Sequence, residues 1–382
     1  MNILQKYLKG DPVIWAVAFI LSVFSMLTVY STTGSLAFRY KGGNTEAYLL
    51  ERLIFIALGF MVMFFIHRVK YTYFSRVSKI LLLVSIPLLA ITLVMGSRIN
   101  DANRWLTIPG LPISFQTSDL AKLALITYVA AFLSSRQDEI GDFRRTFIPV
   151  IIPVGLVCLL IFPANFSTAA MLFFICVLLM FVAGIRVKHI AVMIGGMVLV
   201  GGLTVVILST IPGSRVETWK ARIENFLSGE GGDNYQAEQA KMAIANGGIT
   251  GTGPANNPNK YFLPQSYSDF IYAMIIGEYG LFGGVTVLLC YMILLYRSVR
   301  IAAQTNYGFA ILLSIGLCLM LTVQAFINMA VAVNLFPVTG QPLPLVSMGG
   351  TGTLFTCLTL GMLLSISRVT EDKNVEPKTE NA

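Results

Sequence analysis

Charge is scarce in this chain: Asp, Glu, Lys and Arg supply 12% of its 382 residues, against 55% hydrophobic. A water-soluble domain carries roughly a quarter charged residues, so that class is excluded and an integral membrane protein remains. Histidine is scarcer still. His67 and His189 stand alone at the basic ends of apolar runs, which suits an interfacial role rather than chemistry. Five cysteines occur (Cys158, Cys176, Cys290, Cys318 and Cys357), all inside apolar runs and without paired spacing; they read as packing residues, not disulfides or metal ligands. There is no zinc, haem, P-loop or dinucleotide motif. No internal repeat is visible, which counts against a transporter built from inverted halves. No small-residue cleavage site follows the first apolar run, which therefore reads as an uncleaved anchor helix.

What the chain has is apolar length. Ten segments can be marked, at 13–31, 53–66, 80–95, 120–133, 147–162, 169–185, 190–211, 270–296, 309–333 and 343–366. Several fall short of the roughly 20 residues a span needs and must borrow flanking residues or lie partly in the interface. The expected fold is all-α: a single polytopic domain over 1–369, a large loop at 212–268 between the seventh and eighth helices, and a disordered polar tail at 370–382. Basic residues gather on one side: Lys6 and Lys9, Arg68 to Lys79, Arg136, Arg144 and Arg145, Arg186 and Lys188, Arg297 and Arg300, and Arg368. The opposite short loops around 163–168 and 334–342 carry none. This bias places both termini in the cytoplasm. The net charge of +8 is mostly that orientation signal and no nucleic-acid footprint.

Two exterior stretches carry the candidate chemistry. In 96–118, Arg104 and Trp105 precede the run Phe115 to Lys122. Ser118 has the place of a helix N-cap with Asp119 in the first turn. Asp119 and Lys122, three apart, share a face and can pair, either as a self-neutralising interfacial ion pair or as part of a site. In 212–268, Val216, Trp219, Ile223, Phe226 and Leu227 recur at helical spacing with Arg215, Lys220, Arg222 and Glu224 between them, the pattern of an amphipathic helix lying on the membrane surface. A second helical piece over 235–245 stops at Gly247 and Gly248. The Gly/Pro loop from Gly251 to Pro258 is either a phosphate cradle or only a turn.

Asp269 stands where this loop meets an apolar helix. A carboxylate there costs little if water reaches it and several kcal/mol if lipid does, so it is a functional candidate. Glu278, nine residues on, lies about 13 Å deeper along a helix and reads as a structural partner between helices. Gln324 and Asn328, four apart, form a polar stripe suited to interhelical hydrogen bonds or to substrate contact. From Pro337 to Gly352 three prolines and four glycines predict a broken element lining a cavity, or close helix packing, since such backbone must find partners in protein or water.

Three motifs then carry a resemblance spanning nearly the whole chain: Arg104-Trp105 with Phe115-Gln-Thr-Ser-Asp-Leu-Ala-Lys122; Leu263-Pro followed by Asp269-Phe-Ile and Gly277-Glu278; and Pro342-Leu-Pro-Leu-Val-Ser347 with Gly349-Gly350. In this order they resemble the SEDS family (shape, elongation, division and sporulation) of FtsW- and RodA-type proteins. The resemblance implies a peptidoglycan glycosyltransferase that polymerises lipid II, of the division (FtsW) type in preference to the elongation (RodA) type, although Pro337-Val-Thr-Gly340 looks RodA-like. It implies Asp269 as general base and undecaprenyl pyrophosphate as leaving group. Arg104, Trp105, Asp119, Lys122, Lys260, Gln324, Asn328 and Ser347 are the substrate-binding candidates, with Arg215 a further cation; Trp105 either stacks on sugar or sits in the headgroup belt. Pyrophosphate needs positive charge from Arg and Lys or from a divalent cation, Mg²⁺ or Mn²⁺. The implied partners are lipid II, the undecaprenyl-pyrophosphate-linked glycan, a class B penicillin-binding transpeptidase and divisome proteins, in the bacterial cytoplasmic membrane with the site on its extracytoplasmic face. Departures are Asp119 where the family usually has Glu, Gln265 for Glu, Asn165 at an Asp position and no Lys after Thr339. A lipid II flippase and a division scaffold are the competing readings.

Overall fold

The computed structural model describes residues 8–34, 36, 44–99, 102–107, 114–210, 215–228, 232–263 and 265–375. Among the described residues twelve α-helices follow in order: α1 (Pro12–Thr32), α2 (Thr45–Ile66), α3 (Thr72–Met95), α4 (Thr117–Ser135), α5 (Ile148–Ile161), α6 (Phe166–Val182), α7 (Val187–Ser209), α8 (Val216–Ser228), α9 (Gly232–Gly247), α10 (Ile271–Ala303), α11 (Gly308–Ala332) and α12 (Gly350–Val375). Among the described residues nine helices are long and apolar enough to cross a membrane, counting α5 with the π-turn Phe143–Phe147 ahead of it, and Phe166–Val182 is a shorter apolar helix. Together they are the ten segments of the hydropathy pattern, so the chain is an all-α membrane protein. The short second segment reaches 22 residues by starting at Thr45, where the Asn44 side chain accepts the Ala47 N–H. Such a cap satisfies one of the donors a helix start leaves open.

Burial sorts the helices. About two thirds of the apolar windows of α11 and α12 are buried, but only 11% of that of α7. The outward side chains of α7, such as Val198, Leu199, Leu203 and Val206, are apolar because lipid is their solvent. At the face carrying the basic loops, Asp11 both caps α1 and pairs with Arg297 of α10 at 2.5 Å, while its amide donates to Ser367 Oγ of α12. Gly10 makes this approach: with φ +89, it lies where a Cβ would meet Leu364 O and Ser367 Oγ at 2.8 Å. The two histidines pack into aromatic clusters here, His67 against Trp15 and His189 against Phe143 and Phe147. All five cysteines are buried free thiols.

Several expectations are corrected at the opposite, loop face. The stretch 96–118 holds a three-stranded antiparallel sheet, β1 (Ser97–Ile99), β2 (Ala102–Thr107) and β3 (Ser114–Gln116). Trp105 pairs with both Ser97 and Gln116, so the sheet delivers it beside the start of α4. Ser118 lies inside α4 and is no N-cap; its hydroxyl accepts from Gln116 Nε2. At the basic face, the final helix runs to Val375, past the 369 boundary expected for the membrane domain. Residues 376–382 lie outside the described residues.

Two interruptions shape the core. The first is in α10, where Gly280 adopts φ 69, ψ −169. The loop after α9 fills the gap: Thr252 N donates to Gly277 O, Gly253 N to Glu278 O, and Leu281 N to Gly248 O, at 3.0–3.1 Å. The second is the segment 340–349, which does not continue as helix because Pro342 and Pro344 remove donors and Leu345 turns left-handed at φ 67. Its carbonyls are met by side chains from four helices. Ser25 of α1 donates to Val346 O, and Tyr291 of α10 to Pro344 O. Gln324 and Asn328 of α11 donate to Pro342 O and Gln341 O. Arg52 of α2, 2% exposed, donates to Leu345 O, Gly349 O and Thr353 Oγ1.

Arg52→Ala is expected to strand Leu345 O in the core, Gly349 O keeping the Thr353 hydroxyl, and to destabilise the protein by about 1–3 kcal/mol, the usual cost of an orphaned buried polar group, read as a lower Tm in detergent. Gly280→Ala forces an L-residue into a region nearly reserved for glycine, an expected loss of about 1–3 kcal/mol, measured the same way.

Candidate active site

The interruption at 340–349 leaves a polar cavity of about 440 Å³ at the loop face. Its walls are the first turn of α4, the start of α6, the inner side of α8, the turn before α10, the middle of α11 and the segment itself. Trp105, Asp119, Lys122, Arg215, Arg222, Asp269, Gln324 and Ser347 all line it. Residues as far apart in the chain as Trp105 and Ser347 thus meet around one space.

Asp269 belongs to a run of turns one residue ahead of Phe270, the N-cap of α10. The positive end of a helix is a favourable place for a carboxylate. Its backbone is held from two sides. Asn328 Nδ2 donates at 2.8 Å to both Asp269 O and Gln341 O. Ser347 Oγ donates to Ser268 O at 2.7 Å and accepts the Leu343 amide at 2.8 Å, while Met348 N donates to Tyr267 O at 2.9 Å. These bonds stitch the two non-helical segments together. Ser268 Oγ donates to Asp269 Oδ1 at 3.1 Å, which leaves the carboxylate half-buried at the cavity wall.

The expected pair of Asp119 and Lys122 forms at 2.8 Å with both side chains about nine-tenths buried. Lys122 Nζ also donates to Gln324 Oε1 at 3.2 Å, so Gln324 relays the pair to Pro342 O. Gln324 and Ser347 reach the cavity, yet their bonds go to backbone and to Lys122. Asn328, 1% exposed, stands behind the wall as a brace. Lys260 is not in the cavity: its ammonium donates to Ala255 O at 2.6 Å and lies over the Tyr261 ring. Its loop docks on α10, and the amides that might have cradled phosphate are engaged instead, Gly251 N with Gly247 O, Thr252 N with Gly277 O and Gly253 N with Glu278 O. Arg104 is in β2, and its side chain lies outside the described residues. Glu278 takes a hydrogen bond from Ser31 of α1, the structural role expected of it.

Arg52 and Arg222 are the side chains that sequence reasoning missed. Arg52 reads in sequence as a charge ahead of an apolar run. Arg222 lies seven residues after Arg215, two helical turns, and that spacing was the available signal. Among the described residues no three His, Cys, Asp or Glu side chains converge. A divalent ion would find Asp119 and Asp269 here, the first already bound to Lys122, so the described residues do not fit a metal held by protein ligands alone.

A chain with this fold and cavity has recognisable relatives. Residues 11–372 match the family model described as "Cell cycle protein", built on FtsW, RodA and SpoVE. Stage V sporulation protein E of Bacillus subtilis (strain 168) is 30% identical over 367 residues, covering 95% of this chain and 98% of the relative. A probable peptidoglycan glycosyltransferase FtsW of Trichlorobacter lovleyi is 32% identical over 365 residues, covering 94% and 93%. Among solved structures, a chain from a study of "polymerization and crosslinking by a peptidoglycan synthase complex" superposes with TM-score 0.73 at 25% identity, covering 94% of this chain and 98% of that one. Rod shape determining protein RodA of Thermus thermophilus shares the fold, with TM-score 0.65 at 24% identity over 95% and 98%. The chain belongs to the FtsW/RodA/SpoVE family of cell cycle proteins.

Proposed function

We propose that this chain is an inverting glycosyltransferase that polymerises lipid II into peptidoglycan strands at the extracytoplasmic face of the cytoplasmic membrane. The observation that carries the proposal is Asp269, a braced carboxylate on the wall of a polar cavity that also holds cationic side chains. The names of the FtsW relatives support the reaction class, and the basic loops at the opposite end of the bundle support the orientation.

The chemistry needs few groups. The sugar 4-hydroxyl of lipid II is a weak nucleophile at neutral pH. Asp269 accepts its proton as the oxygen attacks the anomeric carbon of the growing strand. The bond to undecaprenyl pyrophosphate breaks on the far side, and an α-linkage becomes a β-1,4 glycosidic bond. A glycosidase needs a second carboxyl to protonate its leaving group; pyrophosphate leaves as a stable anion and needs fixed positive charge instead. Asn328 and Ser347 hold the backbone at and before the base in place, through Asp269 O and Ser268 O, a positioning role that proximity arguments favour. FtsW and SpoVE relatives at about 30% identity support the division or sporulation type over the elongation type. The solved synthase complex supports a class B penicillin-binding transpeptidase as partner, with divisome proteins around the pair.

Asp269→Asn and Asp269→Ala are expected to lower glycan formation from purified lipid II by about a hundredfold or more, the usual contribution of a general base being 10²–10⁴, with an unchanged Tm. Full-length glycan from either variant would remove the base. Movement of lipid II across vesicles without any glycan product would favour a flippase. For orientation, alkaline phosphatase fused after Ser228 is expected to be active and after Ala303 inactive; the reverse pattern would invert the assigned face.

A further inference from the structure

Asp269 is carried by less helix than the length of α10 suggests. Gly280 divides α10 into a half-helix, 271–279, and a long remainder. The bend between them is sharp. Tyr272 Oη donates to Gly284 O at 3.2 Å, and a Cβ on Gly284 would meet Ile276 Cγ1 at 2.6 Å. In a straight helix those two pairs stand about 18 and 12 Å apart along the axis. Every residue from Ile271 to Glu278 is buried. The half-helix therefore sits wholly inside protein, and its attachments fix its direction.

At its start, Asn328, Ser347 and Met348 hold the backbone from Tyr267 to Asp269. Those bonds fall within three residues, so they fix a point rather than an axis. The axis needs an anchor at the far end, about 12 Å on. There the Thr252 and Gly253 amides and the Thr252 hydroxyl reach Gly277 O and Glu278 O from the loop. Tyr279 meets Phe24 of α1 edge-on, with ring centroids 5.8 Å apart. The Glu278 carboxylate accepts the Ser31 hydroxyl of α1, which is the directional tie to that helix.

Stability does not account for a carboxylate at this place. Glu278 is 1% exposed, and its Oε2 has no hydrogen-bond partner among the described residues. The Ala255 backbone and the Lys260 ammonium offset part of its charge. It also stands in the last turn of the half-helix, where the helix dipole disfavours an anion. An apolar side chain of similar volume is often as stable or more so at such a position. Ser31 would then turn to its own helix, as Ser22 and Thr32 of α1 do to Ala18 O and Thr28 O.

We propose that Glu278 is a positioning residue for glycosyl transfer: by tying the far end of the half-helix to α1 through Ser31, it sets the direction in which Asp269 presents its carboxylate. The inference rests on reading Asp269 as the base. A half-helix freed at one end pivots about the other, and Asp269 turns with it. A misplacement of about 1 Å caused from a distance can cost a reaction about a hundredfold.

The test reads rate and stability together, in the lipid II assay on the purified full chain. Glu278→Leu is expected to keep or raise Tm while lowering kcat about tenfold or more, with KM for lipid II unchanged. Glu278→Gln retains an oxygen for Ser31 and is expected to recover most of the loss. Ser31→Ala removes the same tie from the α1 side and is expected to lower kcat alike. Because the effect passes through Asp269, the double variant Asp269→Asn/Glu278→Leu is expected within about twofold of Asp269→Asn alone, as for residues that act as a unit. Wild-type kcat in Glu278→Leu and Ser31→Ala would overturn the proposal, as would losses that multiply in the double variant. Activity that merely follows a falling Tm across the variants would leave Glu278 a structural tie and overturn it too. Should Glu278→Leu fail to fold, Ser31→Ala, one hydroxyl smaller, is judged by the same outcomes. Full activity in Asp269→Asn would remove the base whatever Glu278→Leu does, so failure of that reading and failure of this one are told apart.

Discussion

A polypeptide inside a membrane protein has no bulk water to receive its open carbonyls, and that constraint organises this molecule. The segment 340–349 abandons the helix, and five side chains on α1, α2, α10 and α11 take up its main-chain oxygens. An orphaned buried carbonyl costs about 1–3 kcal/mol, so the polar residues around this segment are a requirement of having it at all. What it yields is space. Where a continuous helix would have filled the bundle, a cavity remains, and Asp269 stands on its wall.

This changes how the polar stripe of α11 is understood. Gln324 and Asn328 have the chemistry of ligand-binding residues, and both do bind, but what they bind is backbone and the Asp119–Lys122 pair. The catalytic candidate is rigid because its neighbours are occupied. The interruption at Gly280 follows the same rule with other means, since there the exposed carbonyls are met by a returning loop, through the Thr252 and Gly253 amides and the Thr252 hydroxyl.

The apolar helices were legible in the chain because lipid demands length and hydrophobicity, which composition records directly. The Asp119–Lys122 pair was legible because three-residue spacing on a helix fixes adjacency. Asp269 could be singled out by its place at a polar–apolar border, and the role proposed for it came from the family resemblance. The small sheet was not legible: its strands are three to six residues long, too short for an alternating pattern to emerge. Arg52 was hidden because hydropathy treats a charge ahead of an apolar run as the end of a span, whereas here the helix begins seven residues earlier and buries it. Lys260 was a candidate by its residue type and place in the loop, but the turn at Asn257–Tyr261 sends its ammonium to Ala255 O.

The knot of Asp11, Arg297 and Ser367 at the far end of the bundle has a mechanical meaning. It ties α1, α10 and α12 where they are farthest from the cavity, as the spring of a clothes-peg holds its two arms. That end is held by an ion pair whose Asp11 side chain is 4% exposed, whereas α7 is buried only at Ile190 and Met193, near its start. The tie and the cavity therefore lie at opposite ends of the helix bundle, and the lightly packed length of α7 lies toward the cavity.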